Sequence, residues 1–512
     1  MERGKSNRVV FKPYESDQLS LLPYNLEELI PENHPARVVR QVIDQLDVRP
    51  INRKYKGGGA SSYHPRLMLK VLVYGYLTNT YSSRKLEEQV KSNIHFMWLC
   101  GMMKPDHNTI NRFRSEKLSG ILKEIFSQIV IMLSEQGIVS LKEAVFTDGT
   151  KIESVAGKYT FVWGKSIKTS KERIKSQLDE LWGYAQKIAA EELKDTSPLE
   201  FDQISPEKVK QTVAKINQVL EDKPGVAKKI KQKLNYAKNN WPDNLERYND
   251  QEQKLSGRNS YSKTDVDATF MKMKEDHMLN GQLKPAYNWQ ISSQNQFILN
   301  YSLHQTSTDY PTLALHLEQY ESLYQQTPKA IVADAGYGSD ENYSLLKGKD
   351  IEAYVKYNYF DKEQKEGIKA FSNDTLYYNE QENYLVCPMG QKMQHIGQYT
   401  RVTASGYRQI VSRYQAANCQ GCPMRGVCHS SKGNRIADAN HQLRKHKQEV
   451  KEKLTSEQGI KYRKQRPVDV EPVFAQIKHN HGFRRFMLKG LSKTEVEIGL
   501  LSIAHNLRKW KA

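Results

Sequence analysis

At 512 residues the chain is too long for one ordinary hydrophobic core, so two or more domains are expected. Lys and Arg number 77 against 58 Asp and Glu, and a net charge of +19 points to a polyanionic partner, nucleic acid first. The apolar fraction of 38% is low, yet 29 Tyr and 14 Phe exclude a disordered chain.

No apolar run reaches the length of a membrane span; "RLMLKVLVYGYL" is short and carries Lys70. The opening "MERGKSNRVVFKPYE" lacks an apolar signal core, so the protein is expected to stay in the cytoplasm where it is made.

Residues 1–140 read as a helical domain. Pro65 can open a helix in "HPRLMLKVLVYGYLTN", Ser82 or Ser83 can cap the next, and Asp106 can cap a third in "KPDHNTINRFRSEKL". That third helix is expected to expose Asn108, Thr109, Asn111, Arg112 and Arg114 while Ile110 and Phe113 face inward. A helix, a short turn and a helix with amides and arginines on its free face suit a DNA reader, and equally an ordinary amphipathic surface helix. The glycines of "KYKGGGASS" lack the downstream Gly-Lys-Ser/Thr of a phosphate loop and read as a flexible basic loop.

Strand character begins in 141–165 with "EAVFTDGTKIES". A Lys, Glu and Leu-rich stretch, 166–260, follows with Ile174, Leu178 and Leu181 at helical spacing, and is expected to be an inserted helical hairpin. Strands resume in 261–375, where "YNWQISSQNQFILNYSLHQ" reads as two β runs about a turn near Ser293 and Asn295; a helix, "KAIVADAGYG" and another helix and strand complete an α/β core with one mixed sheet.

Two apolar strands in this core run into a carboxylate and then a glycine: Asp148 in "VFTDGTKIES" and Asp334 in "IVADAGYGSDEN". An aspartate there can be a turn former, or a ligand facing the open end of a sheet. A third carboxylate, Glu471, falls in "YRKQRPVDVEPVFAQIKHNHGFRR", in the first turn of a helix capped by Asp469, where Pro472 is tolerated. Lys478, seven residues on, is expected on the same face, with Arg466 just before the helix and Arg484 and Arg485 just after it. These charges fit a salt-bridge cluster. They also fit three oxygen ligands for two divalent cations, with the cations of the chain clamping DNA phosphates.

The segments "TDGTKIES", "VADAGYGSDEN" and "RPVDVEPVFAQIK" resemble the three catalytic segments of bacterial insertion-sequence DDE transposases, in the branch whose third segment carries Tyr, Arg, Glu and Lys. The likeness extends from "YHPRLMLKVLVYGYL" and "DHNTINRFR" through "KPAYNWQ" to "LLSIAHNLRKW". Tyr462 and Arg466 precede the places the family spacing gives them, whereas Glu471 and Lys478 keep their interval. The resemblance implies an RNase H-like core in which Asp148, Asp334 and Glu471 bind two Mg²⁺ or Mn²⁺ ions and Lys478 contacts the donor strand. It further implies double-stranded DNA partners, the terminal inverted repeats and the target, and a homodimer that brings two ends together. Such enzymes nick the transposon end with water and then attack target DNA with the freed 3′-hydroxyl. A transposon-derived DNA-binding regulator and a stand-alone nuclease with the same core are the alternatives.

In 376–455 lie four of the five cysteines: Cys387, then Cys419, Cys422 and Cys428. Cys-x2-Cys with two further thiols suits a structural tetrahedral Zn²⁺ site, with His395 or His429 as substitute ligands; free thiols or a redox pair are the alternatives. Cys100, beside Trp98 and Leu99, reads as a core residue. Residues 456–512 are expected to be the C-terminal helices that bring Glu471 to the core.

Overall fold

The computed structural model describes residues 25–55, 62–189, 205–221, 223, 225–273, 281–367, 371–403 and 405–511. The glycines of the basic loop and the opening fifteen residues lie outside them.

The mixed sheet foreseen for the core contains β1 (Val145–Glu153), β4 (Thr269–Lys272), β5 (Leu283–Gln294), β6 (Phe297–His304), β7 (Ala330–Ala333) and β8 (Glu352–Val355); β2 (Phe161–Trp163) and β3 (Ser260–Ser262) form a small separate pair. β1 runs antiparallel to β5 and parallel to β7, and β7 is parallel to β8; β4 and β6 pair successive stretches of β5. The β5–β6 hairpin turns at Asn295 and Gln296, both at positive φ (52° and 64°), the geometry that matches a two-residue turn to strand twist.

Beneath β1 a buried polar chain fixes the register. Thr147 and Ser292 hydroxyls meet at 2.9 Å, Ser292 meets His316 Nε2 at 2.9 Å, and His316 Nδ1 meets Ser302 at 2.7 Å. Burial keeps His316 neutral by pushing its pKa well down, so the chain adds hydrogen bonds without buried charge. A one-residue slip would strand each of these groups in the interior, where an unmade hydrogen bond costs about 1–3 kcal/mol.

The N-terminal helices share the core of the sheet. Pro65–Leu77 begins on Pro65 as expected, with His64 Nδ1 accepting from Arg66 N, and ten of its thirteen residues are buried. It packs against the C-terminal helix Leu491–Lys511, so Leu72, Trp289 and Ile498 belong to one hydrophobic cluster. Cys100 lies in that cluster, and burial raises its thiol pKa to about 12, in keeping with a core role.

Three helices, Gly164–Ile188, Pro206–Glu221 and Lys228–Leu255, stand where a helical hairpin was expected. Leu178, Val213 and Trp241 give them a core of their own, which two helices alone would leave open on one side. A second, five-stranded antiparallel sheet, also not foreseen, is built from β9 (Tyr378–Asn379), β10 (Tyr384–Val386), β11 (Lys392–Val402), β12 (Arg408–Ala416) and β13 (Ile436–Ala439). Helices His441–Thr455 and Glu457–Asp469 then return the chain to the mixed sheet. No described helix is long and apolar enough to cross a membrane.

Candidate active site

Asp148 does not end its strand: β1 continues to Glu153, with Asp148 opposite Ile291 of β5. The parallel partner β7 is what stops, pairing only as far as Phe146 with Val332. Asp148 thus emerges where one side of β1 loses its neighbour, and Asp334 follows β7 directly. Gly149 is a strand residue, not a turn. Asp334 does form a turn, since its Oδ1 accepts from Gly336 N at 2.8 Å and caps the short helix Ala335–Tyr337. Its Oδ2 remains directed elsewhere.

That direction is Arg466. Its Nη2 lies 3.1 Å from Asp148 Oδ1 and 3.7 Å from Asp334 Oδ2, and its Nη1 lies 3.8 Å from Glu471 Oε1. One guanidinium therefore gathers all three carboxylates, which come from β1, the end of β7 and the helix Glu471–Ala475. The surroundings grade from closed to open: side-chain exposure is 10% for Asp148, 14% for Arg466, 41% for Asp334 and 58% for Glu471.

Arg466 precedes the Glu471 helix as expected, but sits inside a helix of its own, Glu457–Asp469, which also accommodates Pro467. Asp469 is likewise not the cap of the following helix. It is buried at the helix end, accepting from Ser293 Oγ at 2.7 Å and Gln296 N at 3.2 Å, and so ties this helix to the β5–β6 turn. Tyr462 packs edge-on against Phe146 and Tyr354, further holding the helix over the sheet. Pro472 occupies the first turn of Glu471–Ala475 as foreseen.

Glu471–Ala475 passes into a π turn, Gln476–Asn480, and Lys478 on that turn is only 6% exposed. Arg114 is corrected. It is 2% exposed, donating from Nη1 to Tyr81 O at 2.7 Å and Tyr76 Oη at 3.2 Å, so it does not stand on the free face of its helix. Asn108 and Arg112 are exposed, Thr109 and Asn111 partly so, and Asp106 caps their helix by accepting from Thr109 N at 2.6 Å. Glu87 braces that helix, accepting from His107 N at 3.0 Å; hydrogen bonds from Lys91 and then His107 lower its pKa to about 2. Arg484 is exposed, whereas the Arg485 guanidinium is engaged by the carbonyls of Ser154, Val155 and Ala156 beyond β1.

The donor set of Asp148, Asp334 and Glu471 is all oxygen, which suits Mg²⁺ or Mn²⁺, and a cation already bridges it. Among the described residues, as folded, no group of three or more His, Cys, Asp or Glu side chains is drawn together closely enough to hold a metal ion. Cys387, Cys419, Cys422 and Cys428 do line one cavity of about 20 Å³, together with His429 and Arg435. Arg435 donates from Nη1 to Cys428 Sγ at 2.8 Å and from its backbone N to Cys419 Sγ at 3.3 Å; Gln391 N donates to Cys387 Sγ at 3.3 Å. His395 instead lies in β11 against the Tyr414 ring.

Arg466→Gln should expose the repulsion that the guanidinium offsets. Without divalent metal a loss of about 2 kcal/mol is expected, below the ~3–5 kcal/mol of a fully buried pair because Asp334 and Glu471 are partly open. Urea melts with and without Mn²⁺ check this, the ion stabilising the variant more than the parent.

Two family models match the chain. One described as a transposase DDE domain covers residues 386–510, and one described as a transposase domain covers residues 24–116. No curated protein and no solved structure matches. Glu471 lies within the first match, while Asp148 and Asp334 fall between the two. The helical N-terminal region and the Glu471-bearing C-terminal region thus each match a transposase model, and the two matches together indicate an insertion-sequence DDE transposase.

Proposed function

We propose that this protein is a DDE transposase that binds the terminal inverted repeats of its element and carries out divalent-metal-dependent strand cleavage and strand transfer at Asp148, Asp334 and Glu471. The convergence of those three carboxylates on one guanidinium carries the reading. The mixed sheet, antiparallel from β6 through β5 to β1 and parallel from β1 through β7 to β8, supports an RNase H-like core.

The three carboxylates would hold two Mg²⁺ or Mn²⁺ ions, which when bound supply positive charge to the attacking and departing oxygens of an in-line displacement. The chain contributes placement. β1 and β7 set two carboxylates on a rigid sheet, Asp469 and Tyr462 seat the helix that delivers Arg466, and Glu471 enters from the open side. Arg466, no longer needed to offset the three acids when cations are held there, would be free to grip a DNA phosphate through two parallel N–H donors. Exposed Arg484, with Asn108, Thr109, Asn111 and Arg112 on the capped N-terminal helix, provides further DNA contacts. Two ends in one reaction call for a homodimer on DNA.

The four cysteines would hold one structural Zn²⁺, their sulfurs supported by the N–H donors of Arg435 and Gln391. One zinc per chain is expected by elemental analysis, and Cys422→Ser should lose it and melt at lower temperature; equal zinc in parent and variant contradicts the assignment.

The function is tested on the DNA flanking the coding region. Purified protein with Mg²⁺ should nick the outer ends of short inverted repeats and join the freed 3′ ends to a target plasmid. Cleavage without joining would make it a nuclease, and binding without cleavage a regulator.

A further inference from the structure

Gly149 and Gly336 each stand close in sequence to one of the paired aspartates, and neither needs glycine for its backbone, since neither lies at positive φ. Space is the reason for both. A Cβ on Gly149 would overlap the Gln290 side-chain amide and come within 2.8 Å of Asp309 Oδ1; a Cβ on Gly336 would lie 2.9 Å from Asp334 Oδ1 and 3.4 Å from Asp309 Oδ2. The two oxygens of a single carboxylate, Asp309, thus occupy the room beside both glycines.

Asp309 is itself firmly held. Its Oδ1 accepts from Asn288 Nδ2 at 2.7 Å and Gln290 Nε2 at 2.9 Å, and both amides lie on β5 at no more than 1% exposure. Gln290 in turn accepts from the fully buried Tyr337 hydroxyl, whose residue follows Gly336. Strand alternation puts Gly149 on the face of β1 opposite Asp148, so Asp309 supports that strand from behind.

We infer that Asp309 is a positioning residue of the candidate active site, a carboxylate seated between Gly149 and Gly336 that sets the separation of Asp148 and Asp334 through the backbone. The inference rests on the reading of those two aspartates as metal ligands. Divalent cations tolerate little error in ligand placement, Mg²⁺ least of all, so loosening this seat should weaken metal binding before it weakens the fold.

The test compares Asp309→Ala, Asp309→Asn and Gly149→Ala in the full chain, with Mn²⁺ binding measured by calorimetry and cleavage measured across a Mn²⁺ and Mg²⁺ titration. Asp309→Ala and Gly149→Ala should each raise the half-saturating metal concentration about tenfold, and more for Mg²⁺ than for Mn²⁺. Asp309→Asn keeps the shape and an acceptor for both amides, and should recover to within about threefold of the parent. The inference is overturned if Asp309→Ala binds Mn²⁺ like the parent, whether or not it melts lower, or if Asp309→Asn is as impaired as Asp309→Ala. Asp148→Asn and Asp334→Asn run in parallel: if they lose Mn²⁺ while Asp309→Ala keeps it, only the positioning role fails, and if they too bind normally, the metal-site reading itself fails.

Discussion

Asp148→Asn, Asp334→Asn and Glu471→Gln should each lower metal-dependent strand cleavage by about a thousandfold, equivalent to ~4 kcal/mol of barrier. Each change keeps the side chain's shape and removes a charge, so the loss falls on cation binding. The fold should not suffer, because three carboxylates share one guanidinium and deleting any of them relieves repulsion in the metal-free protein. Melting temperatures equal to or above the parent's are expected, with DNA binding in EDTA unchanged. Cleavage rates within tenfold of the parent in Mg²⁺ for all three variants would remove them from the chemistry.

The largest loss of stability is expected at Glu497. This residue is wholly buried on the C-terminal helix Leu491–Lys511, where Oε2 accepts from Met487 N at 2.9 Å and Leu488 N at 2.8 Å. Its Oε1 accepts from Tyr76 Oη at 3.1 Å, and Tyr76 Oη accepts from buried Arg114. Glu497→Ala strands the Arg114 charge and two backbone N–H groups in the interior, and a cost of about 3–5 kcal/mol is expected. Chemical denaturation checks this value. Because the network joins the N-terminal helices to the C-terminal helix, both ends of the chain should loosen together in hydrogen exchange.

Burial raises the Glu497 pKa above its ordinary 4.5, with Arg114 opposing. The folded state therefore holds this proton after the unfolded state has released it, and stability should fall as pH rises from 4.5 toward the folded value. Asp469, raised by burial from 3.8, contributes in the same direction. Glu497→Gln should flatten part of that slope.

Several features of the site were legible because they depend on local rules. The Asp106 cap, Pro65 at a helix start, the Asn295 turn and the position of Asp334 after an apolar strand all follow from a few neighbouring residues. What escaped depends on distant partners. The helix Glu457–Asp469 that carries Arg466 was not foreseen, and it holds Pro467 within it. Asp309, in the polar stretch "QTSTDYPT", follows no apolar strand directly and gains its meaning only when β5 brings Asn288 and Gln290 beside it. The glycines after each aspartate were the available signal, and what the fold requires of them is space. The second sheet was hidden because β11 is largely exposed along its length, so its sequence lacks the alternation that a half-buried strand prints.

The central claim is that Asp148, Asp334 and Glu471 meet to hold divalent metal. Anomalous diffraction from crystals of the protein bound to its DNA end and soaked in Mn²⁺ tests it most directly. The expected map has Mn²⁺ peaks in contact with all three carboxylates and the Arg466 guanidinium withdrawn toward phosphate; Mn²⁺ bound elsewhere in a cleavage-competent complex, with Arg466 still bridging the three acids, would contradict it.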